Sequence, residues 1–295
     1  MGNHCGGDTK VIATRKPNHM NVRATKFYEK DGNEPIEDDR FIKIVEAHQK
    51  NSKDSKGMPT KFFIKTVKGR KYITKERFEA IKDEMNILCK IDHPNILKYY
   101  DLCGYHKKFH LVMDYSSGKI LEYIRIDSPN DFSESKAMKI IYQLLDAVCY
   151  LNQNNLSHRN INPENILIED GDLVKITNFE QSKVDHDEKN LQKKDGTSAF
   201  TAPELLKNEF NEKCDVWSIG VIAYKLISGE DPIRGDNLAH KLRSNGGTMT
   251  TFSQAVWSKI SDDGKDLISK MCHGDPDKRI SAIDAMQHKA FATLR

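Results

Sequence analysis

No run of about 18 apolar residues occurs in the chain, so no transmembrane helix is expected, and no secretory signal peptide opens it. An excess of one charge is also missing. The 46 basic and 43 acidic residues leave a net charge of +3, too even a balance to point to nucleic acid. Cysteine is sparse: Cys5, Cys89, Cys103, Cys149, Cys214 and Cys272 lie far apart, with no C-x-x-C pair to suggest zinc or redox chemistry. Most of them fall in apolar stretches, where a free thiol acts as a small hydrophobe, and a reducing cytoplasm fits. There is no internal repeat and no low-complexity tract. What is present is 38% hydrophobic residues, enough for a proper core, in 295 residues. That length suits one two-lobed unit or two small domains.

The amino terminus carries an address. Met1-Gly2-Asn3-His4-Cys5-Gly6 resembles an N-myristoylation start with Gly2 as acceptor, although Gly6 stands where Ser or Thr is preferred. Cys5 is a candidate for a palmitoyl chain, and Lys10, Arg15 and Lys16 follow. One acyl chain binds membranes marginally, whereas a second chain or a basic patch makes an anchor stable. The expected location is cytoplasmic, with attachment to the cytoplasmic face of a membrane.

Residues 1–37 are polar and lack hydrophobic periodicity, which predicts a mobile arm. Phe41–Val45 and Lys61–Val67 suggest strands, with a polar turn over 48–60. Thr74 is placed to cap a helix through Lys90, with Phe78, Ile81, Met85 and Leu88 on one face. His110–Met113 predicts a buried strand, ended by Ser116-Ser117-Gly118. Ser133 then caps a helix whose stripe is Ala137, Ile140, Ile141, Leu144, Leu145, Val148 and Leu151. Short strands follow around Ile166–Ile168 and Val174–Ile176, and from about Pro203 the pattern is mainly helical. A strand-rich part followed by a larger helical part is an α+β, two-lobed organisation. Its divisions are an arm over 1–37, a small lobe over 38–115 and a large lobe over 116–295.

His158-Arg159-Asn160-Ile161-Asn162-Pro163-Glu164-Asn165 is similar to the H-R-D-L-K-P-E-N catalytic loop of protein kinases, with two substitutions. Asn178-Phe179-Glu180 stands where that family has D-F-G, Ala202-Pro203-Glu204 matches A-P-E, and Asp215-Val216-Trp217-Ser218-Ile219-Gly220 matches D-x-W-S-x-G. Arg279 fits the late arginine that pairs with the A-P-E glutamate. Upstream, Lys65 fits the lysine of V-A-I-K, Glu84 its helical partner, and His93-Pro94-Asn95 follows. These motifs lie in register over about residues 38–293. Within the family, the chain most resembles the calcium-dependent kinases of plants and protists. Their EF-hands are not matched, because no D-x-[DN]-x-[DN]-G loop occurs, and no calcium site is expected in this chain.

The resemblance assigns roles, and many of the residues cannot fill them. Kinases position a nucleotide and neutralise its charge with a glycine loop, a lysine, metal-holding carboxylates and a base. Counting back from Lys65 puts the loop near Lys43–His48, where there is no glycine and Glu46 adds a negative charge; Gly57 fits the following turn. Asn160 replaces the catalytic aspartate, and an amide is no base. Asn162 replaces a lysine that contacts the transferring phosphate. Asn178 replaces the main magnesium ligand, and the second ligand position, Asn165, is neutral as well. Glu180 replaces a glycine. Phe63 stands where an alanine forms the ceiling of the adenine slot, unless a bulge offsets it from Phe62. Leu167 would form the floor, and Met113 belongs to the same vestigial nucleotide site. Ile120, or else Lys119, stands at a position for ribose-binding glutamate.

The scaffold positions, by contrast, are retained. Leu88, Tyr99, His158 and Phe179 fit the family's stacked spine, anchored by Asp215, while Glu204 and Arg279 fit its buried ion pair. Arg159 is kept to face an acidic or phosphorylated activation segment, with Thr197 and Ser198 as acceptors. The resemblance therefore implies a pseudokinase that acts as scaffold or allosteric regulator. No cofactor is expected, and the partners are proteins, with an active kinase or its substrates as candidates, together with a membrane surface. The alternatives are a slow Ser/Thr kinase using Mg-ATP and a sensor that binds ATP without using it.

Overall fold

The computed structural model describes residues 19–20, 28–30, 37–38, 42–53, 59–68, 88–105, 108–121, 133–179, 183–184, 199–206, 209, 211–230, 232, 252 and 255–294. The chain divides into two compact units, one of residues 1–91 and 98–115, the other of 92–97 and 116–295.

The first unit is built on one sheet. Its strands are β1 (His19–Met20), β2 (Tyr28–Lys30), β3 (Glu37–Asp38), β4 (Ile42–Lys53), β5 (Pro59–Lys68), β6 (Tyr99–Tyr105) and β7 (Lys108–Asp114). The order is β1-β6-β7-β5-β4-β2, with β3 also on β4, and all pairs are antiparallel except β1 with β6. Alternation sends Val45, Ala47, Phe62, Ile64 and Val112 to one buried face, where Tyr28 joins them. The Phe62 ring meets Tyr28 and Tyr100 edge-on, at centroid distances of 5.8 and 5.3 Å.

Two expectations need correction here. β2 belongs to the stretch expected to be a mobile arm, yet it pairs with Ala47–Gln49 and buries Tyr28, so a single aromatic ties this polar segment to the core. The polar run after His48 is strand through Lys53, with Gln49 paired to Tyr28 on β2 and Lys53 to Pro59 on β5. The strand β6 carried no alternation strong enough to be read. Of the helix expected over 74–90, only Leu88 and the two residues after it are described, and Leu88 is buried.

The second unit is mainly helical. It contains β8 (Lys119–Ile120), α1 (Glu134–Gln153), β9 (Leu156–Ser157), β10 (Ile166–Glu169), β11 (Leu173–Ile176), β12 (Lys183–Val184), α2 (Pro203–Leu206), α3 (Cys214–Ser228), α4 (Asp262–Met271) and α5 (Ala282–Met286). Ser133 caps α1 as expected, accepting from the Lys136 N–H, and the whole predicted stripe is buried. α1 packs on α3, α5 and β11. α3 is buried on nearly every side, and Gly220 is required there: a Cβ at that position would come within 2.6 Å of the Cys272 Sγ. Burial pushes the Cys272 thiol up to about 12, and burial together with the Asp101 carboxylate does the same to Cys103. Neither is a candidate nucleophile at neutral pH. The His93-Pro94-Asn95 segment is tied into this unit. Ile176 N–H donates to the Asn95 carbonyl, Leu97 N–H donates to the Ile176 carbonyl, and Asn95 Nδ2 reaches the Val174 carbonyl, each at 2.9 Å. Among the described residues, no helix is long and apolar enough to cross a membrane.

Candidate functional site

In the first unit the site residues lie on β5 and its neighbours. The β5 register is unbroken from Phe62 opposite Asp114 to Lys68 opposite Lys108, and the only shift against β4 falls between His48 and Lys53. No bulge therefore separates Phe62 from Phe63. Phe62 belongs to the core face, and Phe63 shares the opposite face with Lys65, two residues on. Phe63 stands across from Glu46 on β4 and Met113 on β7. Its ring packs on Tyr115, centroids 4.9 Å apart and planes tilted by 40°. Lys61 Nζ lies 5.2 Å from the centroid of that tyrosine ring. Tyr115 was not singled out in the sequence, since nothing in it links a residue after β7 to one in β5. Lys65 is buried, while Glu84 lies outside the described residues.

The expected place of the glycine loop is corrected by the ladder. Residues Lys43–His48 are mid-strand, paired to β5 along their whole length and to β2 and β3 on the other edge. Glu46 consequently stands in a strand, 3.9 Å from Lys61 Nζ. The antiparallel partner that precedes β4 is β3 instead, with Glu37 paired to Ile44 and Asp38 to Lys43. The count from Lys65 fell short because β4 runs on to Lys53. From β3 into β4 the sequence reads Glu37-Asp38-Asp39-Arg40-Phe41-Ile42, again with no glycine and with three acidic residues.

In the second unit the loop His158–Asn165 hangs from one carboxylate. Asp215, fully buried at the start of α3, accepts the backbone N–H of His158 at 2.7 Å and of Arg159 at 2.8 Å. Arg159 is held at φ +62°, a conformation disfavoured for a residue with a Cβ. His158 Nδ1 accepts from the Asn160 N–H, so its proton sits on Nε2, 2.9 Å from the Thr177 carbonyl oxygen. Its ring meets Phe179 edge-on at 4.5 Å. Leu167 on β10 pairs with Ile120 and Lys175, and Lys119 pairs with Ile168.

The four asparagines at the positions of base, lysine and metal ligands are joined to one another. Asn162 Nδ2 donates to the Asn160 backbone and side-chain oxygens at 3.1 and 3.2 Å, and Asn165 Nδ2 donates to the Asn160 backbone oxygen at 2.9 Å. Asn178, at φ +61°, donates from Nδ2 to Asn165 Oδ1 at 3.1 Å. The family's metal would rest on Asn165 and Asn178, and these residues do not fit it. Both offer only neutral amide oxygens where a hard cation favours anionic ones, and Asn165 Oδ1 already accepts from Asn178 Nδ2. Among the described residues, no group of three or more His, Cys, Asp or Glu is placed to hold a metal ion. Glu180, Thr197, Ser198, Gly57, Gly2 and Cys5 lie outside the described residues.

The structural positions retain their chemistry. Arg279 donates from Nη1 and Nη2 to the two oxygens of Glu204, at 2.6 and 2.8 Å, and from Nη1 and Nε to the Lys213 and His273 carbonyls. The Arg279 guanidinium also lies 5.2 Å from the Trp217 ring centroid. On α3, Ser218 Oγ and Trp217 Nε1 donate to the carbonyls of Phe200 and Ala199, which fixes the segment before α2.

Comparison with known proteins identifies the family and the fold. The sequence model of the protein kinase domain matches residues 41–291. Calcium-dependent protein kinase 4 of Plasmodium falciparum is 36% identical over 233 residues, 77% of this chain and 44% of that protein. A probable serine/threonine-protein kinase of Dictyostelium discoideum, fhkD, is 34% identical over 251 residues, 78% of this chain and 33% of that one. The chain thus spans less than half the length of these relatives. Among solved structures, the twitchin kinase region from C. elegans superposes with a TM-score of 0.77 at 24% identity, covering 94% of this chain and 48% of that one, a likeness of fold.

Proposed function

The chain belongs to the protein kinase family, and from that premise we propose that it is a catalytically inactive member, working through its surfaces as a scaffold or allosteric regulator in signalling. The observation that carries this is the set of linked asparagines. Asn160 offers no base, Asn162 no cation, and Asn165 and Asn178 no anionic oxygen. General-base assistance alone is typically worth roughly 10²–10⁴-fold in rate. The Phe63 ring on the Lys65 face and the acidic sequence from β3 into β4 add to the case, since phosphates and adenine would have to meet them.

A radiolabelled phosphotransfer assay with Mg²⁺ or Mn²⁺ tests it directly. The native chain is expected to transfer no phosphate above the level without protein. The Asn160→Asp, Asn178→Asp double variant is expected to stay inactive too, because Phe63 and the acidic sequence remain. Turnover at kinase-like rates by the native chain would overturn the proposal, and rescue by the double variant would show that Phe63 and that sequence do not matter. A slow Ser/Thr kinase is the second reading, favoured by the buried Lys65 and by relatives named as kinases. The same assay decides between the two.

The partners fit this role: other proteins, with an active kinase or its substrates foremost. The Gly2 start, with Cys5 and the following basic residues, supports membrane attachment on the cytoplasmic face.

A further inference from the structure

In the second unit, α1 and α4 both pack on α3, and their first turns are joined by one side chain. Glu134 opens α1, directly after the cap Ser133. Its Oε2 accepts the Ser261 N–H at 3.0 Å, and its Oε1 accepts the Ser261 hydroxyl at 2.5 Å. Ser261 in turn caps α4, where the same hydroxyl oxygen accepts the Gly264 N–H at 3.0 Å. A hydroxyl has a single proton, and here it is given to Glu134, so the direction of each bond is fixed. The carboxylate sits at the amino-terminal ends of two helices, where aligned peptide dipoles favour negative charge. It also sits over residue 264. A Cβ there would come within 2.5 Å of Glu134 Oε1 and 3.2 Å of Ser261 Oγ. Gly264 lies in regular helix, so nothing in its own conformation calls for glycine.

From this geometry we infer that Glu134 keeps a latch between α1 and α4, that residue 264 is glycine to leave room for its carboxylate, and that the latch opens on negative charge at position 261. Ser261 is exposed and Glu134 half-buried, whereas Leu267, Ile268 and Met271 further along α4 are fully buried. The contact therefore opens without opening the apolar core. A charge at 261 would face Glu134 with no proton between them, and like charges at contact repel. Asp262 and Asp263 already put two carboxylates in the first turn of α4, and a further charge adds to theirs. The latch is independent of catalysis and stands whether or not the chain transfers phosphate.

Two substitutions that α4 alone would accept test it. Aspartate caps a helix about as well as serine, and alanine is a better helix former than glycine. Without the latch, Ser261→Asp is neutral and Gly264→Ala stabilising. With it, in thermal unfolding of the full chain at neutral pH, Ser261→Asp is expected to melt about 3 °C below the native protein. Gly264→Ala is expected to melt no higher than the native protein, because its Cβ displaces the carboxylate. In a Glu134→Ala background both results change: Ser261→Asp has no further effect, and Gly264→Ala raises the melting temperature by ~2 °C. Hydrogen exchange gives the local readout. In Ser261→Asp a peptide covering residues 261–266 should exchange faster, while a peptide within α3 keeps its native protection. An equal effect of either substitution in both backgrounds would overturn the latch, and so would loosening that spreads to α3.

Discussion

Arg279→Met is expected to destabilise the C-terminal unit by about 4 kcal/mol, since removing one partner of a buried ion pair strands the other. Arg279 makes four donations, two to Glu204 and one each to the carbonyls of Lys213 and His273, and it is 1% exposed. Its removal leaves a buried carboxylate and two carbonyls without those donors. Arg279→Lys is expected to fare little better, because one ammonium cannot reproduce a planar fork that spans both carboxylate oxygens. A double variant, Glu204→Leu with Arg279→Met, removes both charges and should recover roughly half of the loss. Full recovery is not expected, because the double variant still lacks the Arg279 donations to the His273 and Lys213 carbonyls, of which Lys213 keeps only the Trp217 N–H. The check is thermal unfolding of the four proteins side by side, with a fall of about 10 °C expected for Arg279→Met. A shift of a degree or less in that variant would mean the pair contributes little.

Asp215→Asn is expected to cost about 3 kcal/mol. Both carboxylate oxygens accept backbone N–H groups from consecutive residues, His158 and Arg159. An asparagine has one oxygen to offer and turns an NH₂ group toward the second N–H, which is left buried and unsatisfied. The loss falls where the backbone is already strained, at the left-handed Arg159. Hydrogen exchange followed by mass spectrometry should show faster exchange in a peptide covering residues 157–161, together with a lower melting temperature. Unchanged protection in that peptide would show that Asp215 is not what holds the loop.

These two effects concern Arg279, Glu204 and Asp215, whereas at the positions that the resemblance gives to base, lysine and metal ligands the chain carries asparagine. Their residue types were legible without coordinates. Asparagine in place of aspartate or lysine is a chemical statement that holds wherever the residue sits. The α1 stripe was legible as well, because a period of 3.6 survives burial on one face only. The first unit was harder to read. Its sheet draws on strands of two and three residues, β1 to β3, too short to show alternation, and Tyr28 alone marks β2 as buried. Misplacing the glycine loop had the same origin, since a polar stretch that gains ladder partners looks like a turn until the partner strand is known.

The motifs by themselves resembled those of a kinase fold and placed amides and a phenyl ring at positions where that family carries charged or small residues, because residue identity is covalent. Pairing and orientation had to come from the folded chain. The β5 ladder decides that Phe63 shares a face with Lys65, and strand register depends on neighbours far away in sequence. The backbone oxygen of Asn160 decides which way the Asn165 amide points, and the Glu164 N–H does so for Asn162, because an asparagine end is donor or acceptor only relative to what it meets.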